Sequence, residues 1–373
     1  MKVSAAVLLA TSVLAGCGDD AGPGAGAWLQ VSAGGYHTCA VATNHTAWCW
    51  GKNTFGALGD GTTEDRTVPT AVAGGLRFDT ISAGWDYTCG ISVSHAAYCW
   101  GENFGGQLGD GSATNRSTPV IVSSPTTFAS ITVGEAHTCG NTADGRTWCW
   151  GAALGPLPDG SIPPDQHQPT AMAMRFAVIS AGYEIACANT AGGTPWCWGL
   201  LAPGLTGDTM PISSAGPMLV SSGVALAYVE AGSKHACGLT PAGLAYCWGM
   251  NPRGQLGNGT RLSAAAPTPV SGGLSFASLS AHGPRHACAL DAEGRAYCWG
   301  ANDQGRLGDG TEQDRYVPVA VTGDHRFTSI STGVDHTCGL AGGSLFCWGY
   351  GGKGQLGIGT TGNQSVPTLV PMP

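Results

Sequence analysis

Fifteen cysteines, a histidine that returns at one address and an aspartate that returns at another carry most of the reactive chemistry in this 373-residue chain. Cysteine offers nucleophilic catalysis, metal ligation or cross-linking, and spacing separates the three. Cys17 stands alone near the start. The other fourteen form seven pairs: Cys39 with Cys49, Cys89 with Cys99, Cys139 with Cys149, Cys187 with Cys197, Cys237 with Cys247, Cys288 with Cys298 and Cys338 with Cys347. Six pairs are ten residues apart and the last is nine. No CxxC or CxxH occurs, and each pair belongs to its own copy of a repeat, so a shared metal centre lacks its ligand spacing. Each pair lies on two short apolar segments joined by a small turn, a hairpin whose opposed Cα atoms approach to about 5.5 Å. Structural disulfides are expected, with buried free thiols as the other reading. None of the cysteines reads as a nucleophile.

The histidine recurs as His37, His137, His235, His286 and His336, with Tyr87 and Ile185 at the same address in two copies. Five copies point to a hydrogen bond with a neighbouring turn rather than to catalysis or metal binding. The aspartate of Leu-Gly-Asp-Gly recurs as Asp60, Asp110, Asp208 and Asp309, becomes Asn258 and Ile358, and shifts to Asp159 in the third copy. One carboxylate per loop falls short of the roughly six to eight oxygens that calcium takes. A turn-capping role is expected. Gly349-x-Gly351-x-x-Gly354 matches a dinucleotide fingerprint by letter, but no helix follows it and no βαβ unit surrounds it. GxSxG, HExxH and P-loop motifs are absent, so neither a cofactor nor a metal is expected.

A repeat must position these groups. An aromatic residue followed by Cys-Trp-Gly ends at Trp50, Trp100, Trp150, Trp198, Trp248, Trp299 and Trp348. Nineteen residues after each Trp stands a proline: Pro69, Pro119, Pro169, Pro217, Pro267, Pro318 and Pro367. A period near fifty residues marks one supersecondary unit copied around an array. Sixty-one Gly and 22 Pro with only 11% charged residues describe short strands and tight turns, so an all-β fold is expected. Alternation puts both rings of each aromatic-Cys-Trp strand on one face and the Cys on the other. A strand apolar on both faces needs cover on both, which blades stacked around an axis provide. The proline after each long loop suits an edge strand or a strand start. The array opens at Trp28 and ends with the strand-like Val366 to Val370, so the ring is expected to close with N- and C-terminal strands sharing one blade.

Ser32-Ala-Gly-x-x-His-Thr38, Cys-Trp-Gly and Gly106-Gln-Leu-Gly-Asp-Gly-Ser112 resemble the regulator of chromosome condensation repeat family over residues 28–373. The resemblance implies a seven-bladed β-propeller. The doubled Cys departs from the eukaryotic pattern and is similar to exported bacterial members. Family activities implied are recognition by a propeller face and guanine-nucleotide exchange on a small GTPase.

Function is expected where the copies differ. Between the repeated Gly and His, the pair varies: Gly35-Tyr36, Trp85-Asp86, Glu135-Ala136, Tyr183-Glu184, Ser233-Lys234, Pro284-Arg285 and Val334-Asp335. One address per blade places these at one rim, and Tyr36, Trp85, Asp86, Glu135, Tyr183, Glu184, Lys234, Arg285 and Asp335 offer the aromatic and charged mixture used in protein or glycan recognition. Solvated turn residues without a partner are the alternative. The loops at 152–168 and 200–215 keep their length while losing the Gly-Gln-Leu-Gly sequence.

Lys2, the apolar run Val3–Val13 and Leu14-Ala-Gly-Cys17 read as a lipoprotein signal over 1–17 with lipidation at Cys17, an ordinary signal peptide being the alternative. Residues 18–27 read as a flexible tether. A net charge of −8 excludes a nucleic-acid partner. The expectation is an exported, monomeric, lipid-anchored and non-enzymatic scaffold, periplasmic or at the cell surface, for an unknown protein or polysaccharide. The alternatives are exchange-factor activity, or a lyase or glycosidase at the axial opening. The enzyme would need one of the two irregular histidines, His167 or His282, beside acids in that opening.

Overall fold

A computed structural model describes residues 26–152, 164–201 and 212–373. Twenty-eight strands, β1 to β28, form seven four-stranded antiparallel sheets, each from four consecutive strands in sequence order. In the first blade these are β1 (Trp28–Ala33), β2 (His37–Ala42), β3 (Ala47–Gly51) and β4 (Arg66–Ala71). β1 packs against the first strands of both neighbouring blades, β5 (Phe78–Ala83) and β25 (Phe327–Thr332), so first strands line the axis. The chain is therefore an all-β, seven-bladed propeller. All seven repeat prolines fall on fourth strands, the outer edges, where a missing N–H removes no ladder bond within the sheet.

The two apolar faces of each blade are covered by unlike partners. Cys39 lies directly opposite Cys49 across β2 and β3, and Cys99 and Cys298 face Cys89 and Cys288 at the same register in their own blades. All seven pairs are disulfides, as expected. Their Cα separations of 4.0–4.1 Å are shorter than expected and nearer the spacing of a non-hydrogen-bonded pair. Each cystine enters one core with the Trp of the following blade. Cys39 and Cys49 pack with Trp100, Cys89 and Cys99 with Trp150, and Cys237 and Cys247 with Trp299. Cys288 and Cys298 pack with Trp348, and Cys338 and Cys347 with Trp50.

The long loop after the third strand clasps this seam. Ala57 O accepts the Trp100 indole N–H at 2.9 Å, and the Gly61 N–H donates to Ser117 O on the next blade's outer strand. Leu58 of the same loop fills the core beneath. Gly59 has φ +68° and a Cβ there would lie 2.7 Å from Trp100 Nε1, so only glycine fits. The same indole bond recurs from Trp150 to Gln107 O, Trp299 to Gln255 O and Trp50 to Gln355 O.

That last bond corrects the expected closure. The C-terminal strand β28 (Gln364–Leu369) pairs with β27 (Ser344–Gly349) inside the seventh blade, not with the first. Four strands starting at Trp28 already complete blade one, leaving no open place. The ring closes as the other seams do, by a clasp on Trp50 and a shared core.

Candidate functional site

The repeated histidines tie blades together. The Thr88 hydroxyl donates to Ala57 O at 2.9 Å, so at the 2.8 Å contact with His37 it must accept, and His37 carries its proton on Nε2. His336 meets Thr38, and His286 meets Thr337, in the same way. The partner is thus a threonine one blade on, rather than a turn. In blade two the Tyr87 hydroxyl donates to His137 O instead. Burial holds His37, His137 and His336 at about 3, and His235 at about 4. Where the next blade carries Ala186 or Ala287 in place of threonine, Nε2 of His137 and both ring nitrogens of His235 have no partner.

The loop aspartates cap turns. Asp60 Oδ1 accepts from the Thr62 amide and hydroxyl while Oδ2 receives Arg66 Nε at 2.9 Å. Asp110 and Asp309 repeat this with Arg116 and Arg315. Burial works to raise these carboxyls, but the hydroxyl, amide and guanidinium bonds prevail and hold them below the usual range. Asp208 and Asp159 lie outside the described residues. Among the described residues, no three His, Cys, Asp or Glu side chains gather as a metal group.

The variable pairs surround the axis on one face. They are brought together by a ring of glycines whose Cα atoms touch the next blade's backbone: a Cβ on Gly34 would stand 2.4 Å from Gly84 O, and on Gly134 2.1 Å from Gly182 O. Amides of the pairs close the ring, as in Gly35 N–H to Gly84 O and Tyr183 N–H to Gly232 O. Above it Trp85 and Tyr183 meet with centroids 4.3 Å apart, and Tyr36 stands edge-on to Trp85 at 5.5 Å. Gly34, Trp85, Tyr183, His282 and Pro284 enclose a remaining space of about 10 Å³, room for about one water. The axial opening is therefore plugged by aromatics. The disulfide cysteines, Cys99 and Cys298 among them, belong to the seams between blades, and none lines this opening.

Charges around the plug are paired, largely between neighbouring blades. Asp86 pairs with Lys52 at 2.9 Å and Glu184 with Lys234 at 3.4 Å. Glu135, bonded to Tyr183, is raised by burial and then by Glu184 and Asp86, while Glu102 is raised by burial and then by Asp86. Asp86 is also raised, its burial outweighing Lys52. On blades five to seven Arg306 pairs with Asp335 at 2.9 Å, Arg253 with Asp314 at 2.9 Å, and Arg285 is exposed. Of the nine rim residues named from sequence, Tyr36, Trp85 and Tyr183 form the aromatic centre. Asp86, Glu135 and Glu184 lie to one side, with Lys234 paired to Glu184. Arg285 and Asp335 lie to the other, where Arg306 and Arg253 each pair with aspartates.

Of the two irregular histidines, His282 lines this opening, and burial alone lowers it to about 4. His167 lies on an outer strand, packed over Gly106. The sequence reading missed Tyr350, edge-on to Tyr36 at 6.3 Å, together with Lys52, Glu102 and Arg306. The residue after each Cys-Trp-Gly, the address of Tyr350, Lys52 and Glu102, varies between copies just as the rim pair does, which was the available signal, whereas Arg306 replaces the glutamine of Gly-Gln-Leu-Gly. Its amide bonds the pair's carbonyl, as in Lys52 N–H to Tyr36 O and Tyr350 N–H to Asp335 O. Glu230 was also missed. It replaces the serine of Ser-Ala-Gly, accepts the Ala281 N–H at 3.0 Å, and is pushed up to about 8 by burial.

The regulator of chromosome condensation (RCC1) repeat model matches residues 44–91, 94–140, 242–290, 293–340 and 342–373, and a second model of that repeat matches 28–57, 227–255 and 276–306. The chain belongs to this repeat family. Residues 141–226, spanning the outer part of blade three and all four strands of blade four, are matched by neither. Among solved structures of the fold, Prp20p from Saccharomyces cerevisiae, described with its binding to Gsp1p and histones, is 19% identical with a TM-score of 0.78 over 87% of this chain and 85% of that one. Human WBSCR16 is 20% identical with a TM-score of 0.74 over 84% and 87%. The ectodomain of the Arabidopsis thaliana receptor kinase ACR4 is 18% identical with a TM-score of 0.55 over 93% and 99%. At these identities the likeness is one of fold. No helix among the described residues is long and apolar enough to cross a membrane.

Proposed function

We propose that this repeat protein is a non-enzymatic binding scaffold, exported and lipid-anchored through Cys17, whose axial face recognises a protein or a polysaccharide. The observation that carries the reading is the gathering of the variable addresses of all seven blades around one opening, with aromatics at the centre and paired charges around them. Aromatic anchors ringed by charge are the composition of recognition surfaces. Phe104, 63% exposed and edge-on to Phe55, extends the aromatic surface outward. Seven disulfides suit an oxidising compartment, in keeping with the leader and tether read at 1–27, which lie outside the described residues up to 25.

Crosslinking on intact cells tests this. Trp85→Ala with Tyr183→Ala, and separately the surface change Arg285→Glu, should each remove captured partners while all seven disulfides still form. An unchanged partner profile in both variants would overturn the axial face as the site.

Guanine-nucleotide exchange is the family-based alternative. It requires a cytoplasmic GTPase, which an exported chain does not meet. A lyase or glycosidase is favoured by one observation, the raised carboxyls of Asp86, Glu102 and Glu135 within one arc. Polysaccharide cleavage that Glu135→Gln abolishes, without loss of binding, would replace the scaffold reading with that one.

A further inference from the structure

The face opposite the rim carries the short turns between second and third strands and the connections that lead into each next blade. Two groups close the seams there. The address two residues before the aromatic or leucine that opens a blade is held by Leu76, Met174, Val224 and Leu274, packed on their seam cores, and by His325, which lies against Phe327. The N–H of the opening residue bonds the preceding turn, as in Phe78 to His45 O, Leu226 to Gly193 O and Phe276 to Gly243 O, each at 2.8 Å. Between blades two and three neither is found among the described residues: Thr126 holds the first address, and Phe128 makes no such bond to His95 O. A third tie is shortened as well. Gln30 bonds both the N–H and the carbonyl of Ile81 across its seam, whereas Thr80, its counterpart in blade two, has a buried hydroxyl without a partner. This seam is therefore open on the far face, with a cavity of about 580 Å³, within the roughly 300–1,000 Å³ of small-molecule sites.

Its walls carry polar groups that the seam itself does not use. His95 lines it with φ +64°, at an address where Gly145, Gly193, Gly243, Gly294 and Gly343 adopt the same left-handed conformation. A histidine there holds strained backbone, which persists where the surroundings impose it. The counterpart His45 spends its imidazole on its own seam, donating to Phe78 O at 3.1 Å and meeting Asp79 at 3.2 Å. Ala129 stands at the address of Asp79 in blade three and offers the His95 ring no such partner. Asp79, held by His45 through one oxygen, lines the same cavity, with Ser94 and Thr127 beside it and Ile91, Phe128 and Ala143 as apolar surface. No lysine or arginine lines it, so a phosphate would meet no countercharge. Hydroxyls, one carboxylate and one imidazole beside an apolar wall suit a ligand with many hydroxyls and a C–H face. We propose that this cavity is a binding site for a neutral saccharide, separate from the axial face, whose hydroxyls bond His95 and Asp79 while its C–H face lies over Ile91 and Phe128.

The test follows the His95 imidazole by NMR, assigned through His95→Gln, while the folded full chain is titrated with glucose, cellotriose, maltotriose and chitotriose. At least one of them should shift that resonance to saturation and leave the Trp85 indole N–H unmoved, because the rim lies at the other end of the blades. Thr126→Leu restores the covering side chain of the other seams and fills the cavity, so it should weaken this binding by about tenfold or more with the fold intact by thermal melt. Glucose 6-phosphate should bind no tighter than glucose. No response of His95 to any of the four sugars, a shift at Trp85 in place of His95, binding that survives Thr126→Leu, or a preference for the phosphorylated sugar would overturn the proposal.

Discussion

Five seams of the ring carry a glycine-leucine clasp from one blade onto the next, and the two that follow blades three and four have lost that sequence. The clasped seams combine a leucine over the disulfide with, in four of them, an indole-to-carbonyl bond and, in three, a histidine-to-threonine bond; Trp348 keeps its leucine but its indole N–H has no partner. The other sector coincides with residues 141–226, which neither repeat model matches. The His–Thr address shows how such a bond can be lost. Between blades four and five both partners are gone, Ile185 facing Ala236, and no polar atom is stranded. Between blades three and four, and between five and six, only the threonine is gone, and His137 and His235 keep unpaired nitrogens. Removing both members of a buried pair is nearly neutral, but removing one leaves a desolvated group, at a cost of about 1–3 kcal/mol.

Acid is the largest perturbation and should not respect the division. Six histidines on both kinds of seam and at the axis are lowered, by burial first. Their folded values lie below the unfolded one, so the unfolded chain takes up protons first. Stability is then complete above about pH 6.5 and falls as pH drops from there toward about 3, by up to about 1.4 kcal/mol per pH unit for each histidine. Urea midpoints measured from pH 7.5 to 4.5 should fall steeply, and a flat profile would remove the buried neutral histidines from the account.

Trp100→Ala and Trp198→Ala test the division itself. The first empties a fully buried site and removes one of the two donors to Ala57 O, with an expected loss of about 3–5 kcal/mol. Trp198 packs with Cys139, Phe176 and Ile179 at a seam that has lost the Gly-Gln-Leu-Gly sequence, and its loss should cost at least about 1 kcal/mol less. Equal shifts in thermal midpoint would mean that the clasp adds nothing. Gly59→Ala comes next: a positive φ and a contact into the Trp100 ring should destabilise by about 2 kcal/mol or more, again read by thermal melts. The smallest effect is the sharpest. Ala287→Thr gives His235 the hydroxyl it lacks and should stabilise by about 1 kcal/mol, whereas Ala236→Thr puts a hydroxyl opposite Ile185 and should destabilise by a similar amount. The same sign in both would break the pairing argument.

Much of this was legible in the sequence. The alternation of Trp48-Cys49-Trp50 announced a strand needing cover on both faces, and Pro69 announced an outer edge. The rim pairs were found because position in a repeat maps to position in a ring. Tyr350 and Lys52 escaped because they follow a third strand, and only the blade's own hydrogen bond brings that address beside the second strand's start. Glu230 escaped because serine-to-glutamate in one inner strand has no periodic signature, although burial makes it the axis's distinctive carboxyl.

By itself the sequence determined the unit: its strands through alternation, its disulfides through a ten-residue spacing across one hairpin, and its number through counting. These are contacts within about ten residues, and local pattern specifies them. Tertiary structure decided what passes between units. Cys39 meets Trp100, His37 meets Thr88, and blade seven clasps blade one without exchanging a strand. Those pairs lie about fifty residues apart or at opposite ends of the chain, and no local periodicity encodes which copy of a residue faces which. The stacking of whole blades around the axis selects them, because only that arrangement buries both apolar faces of every sheet at once.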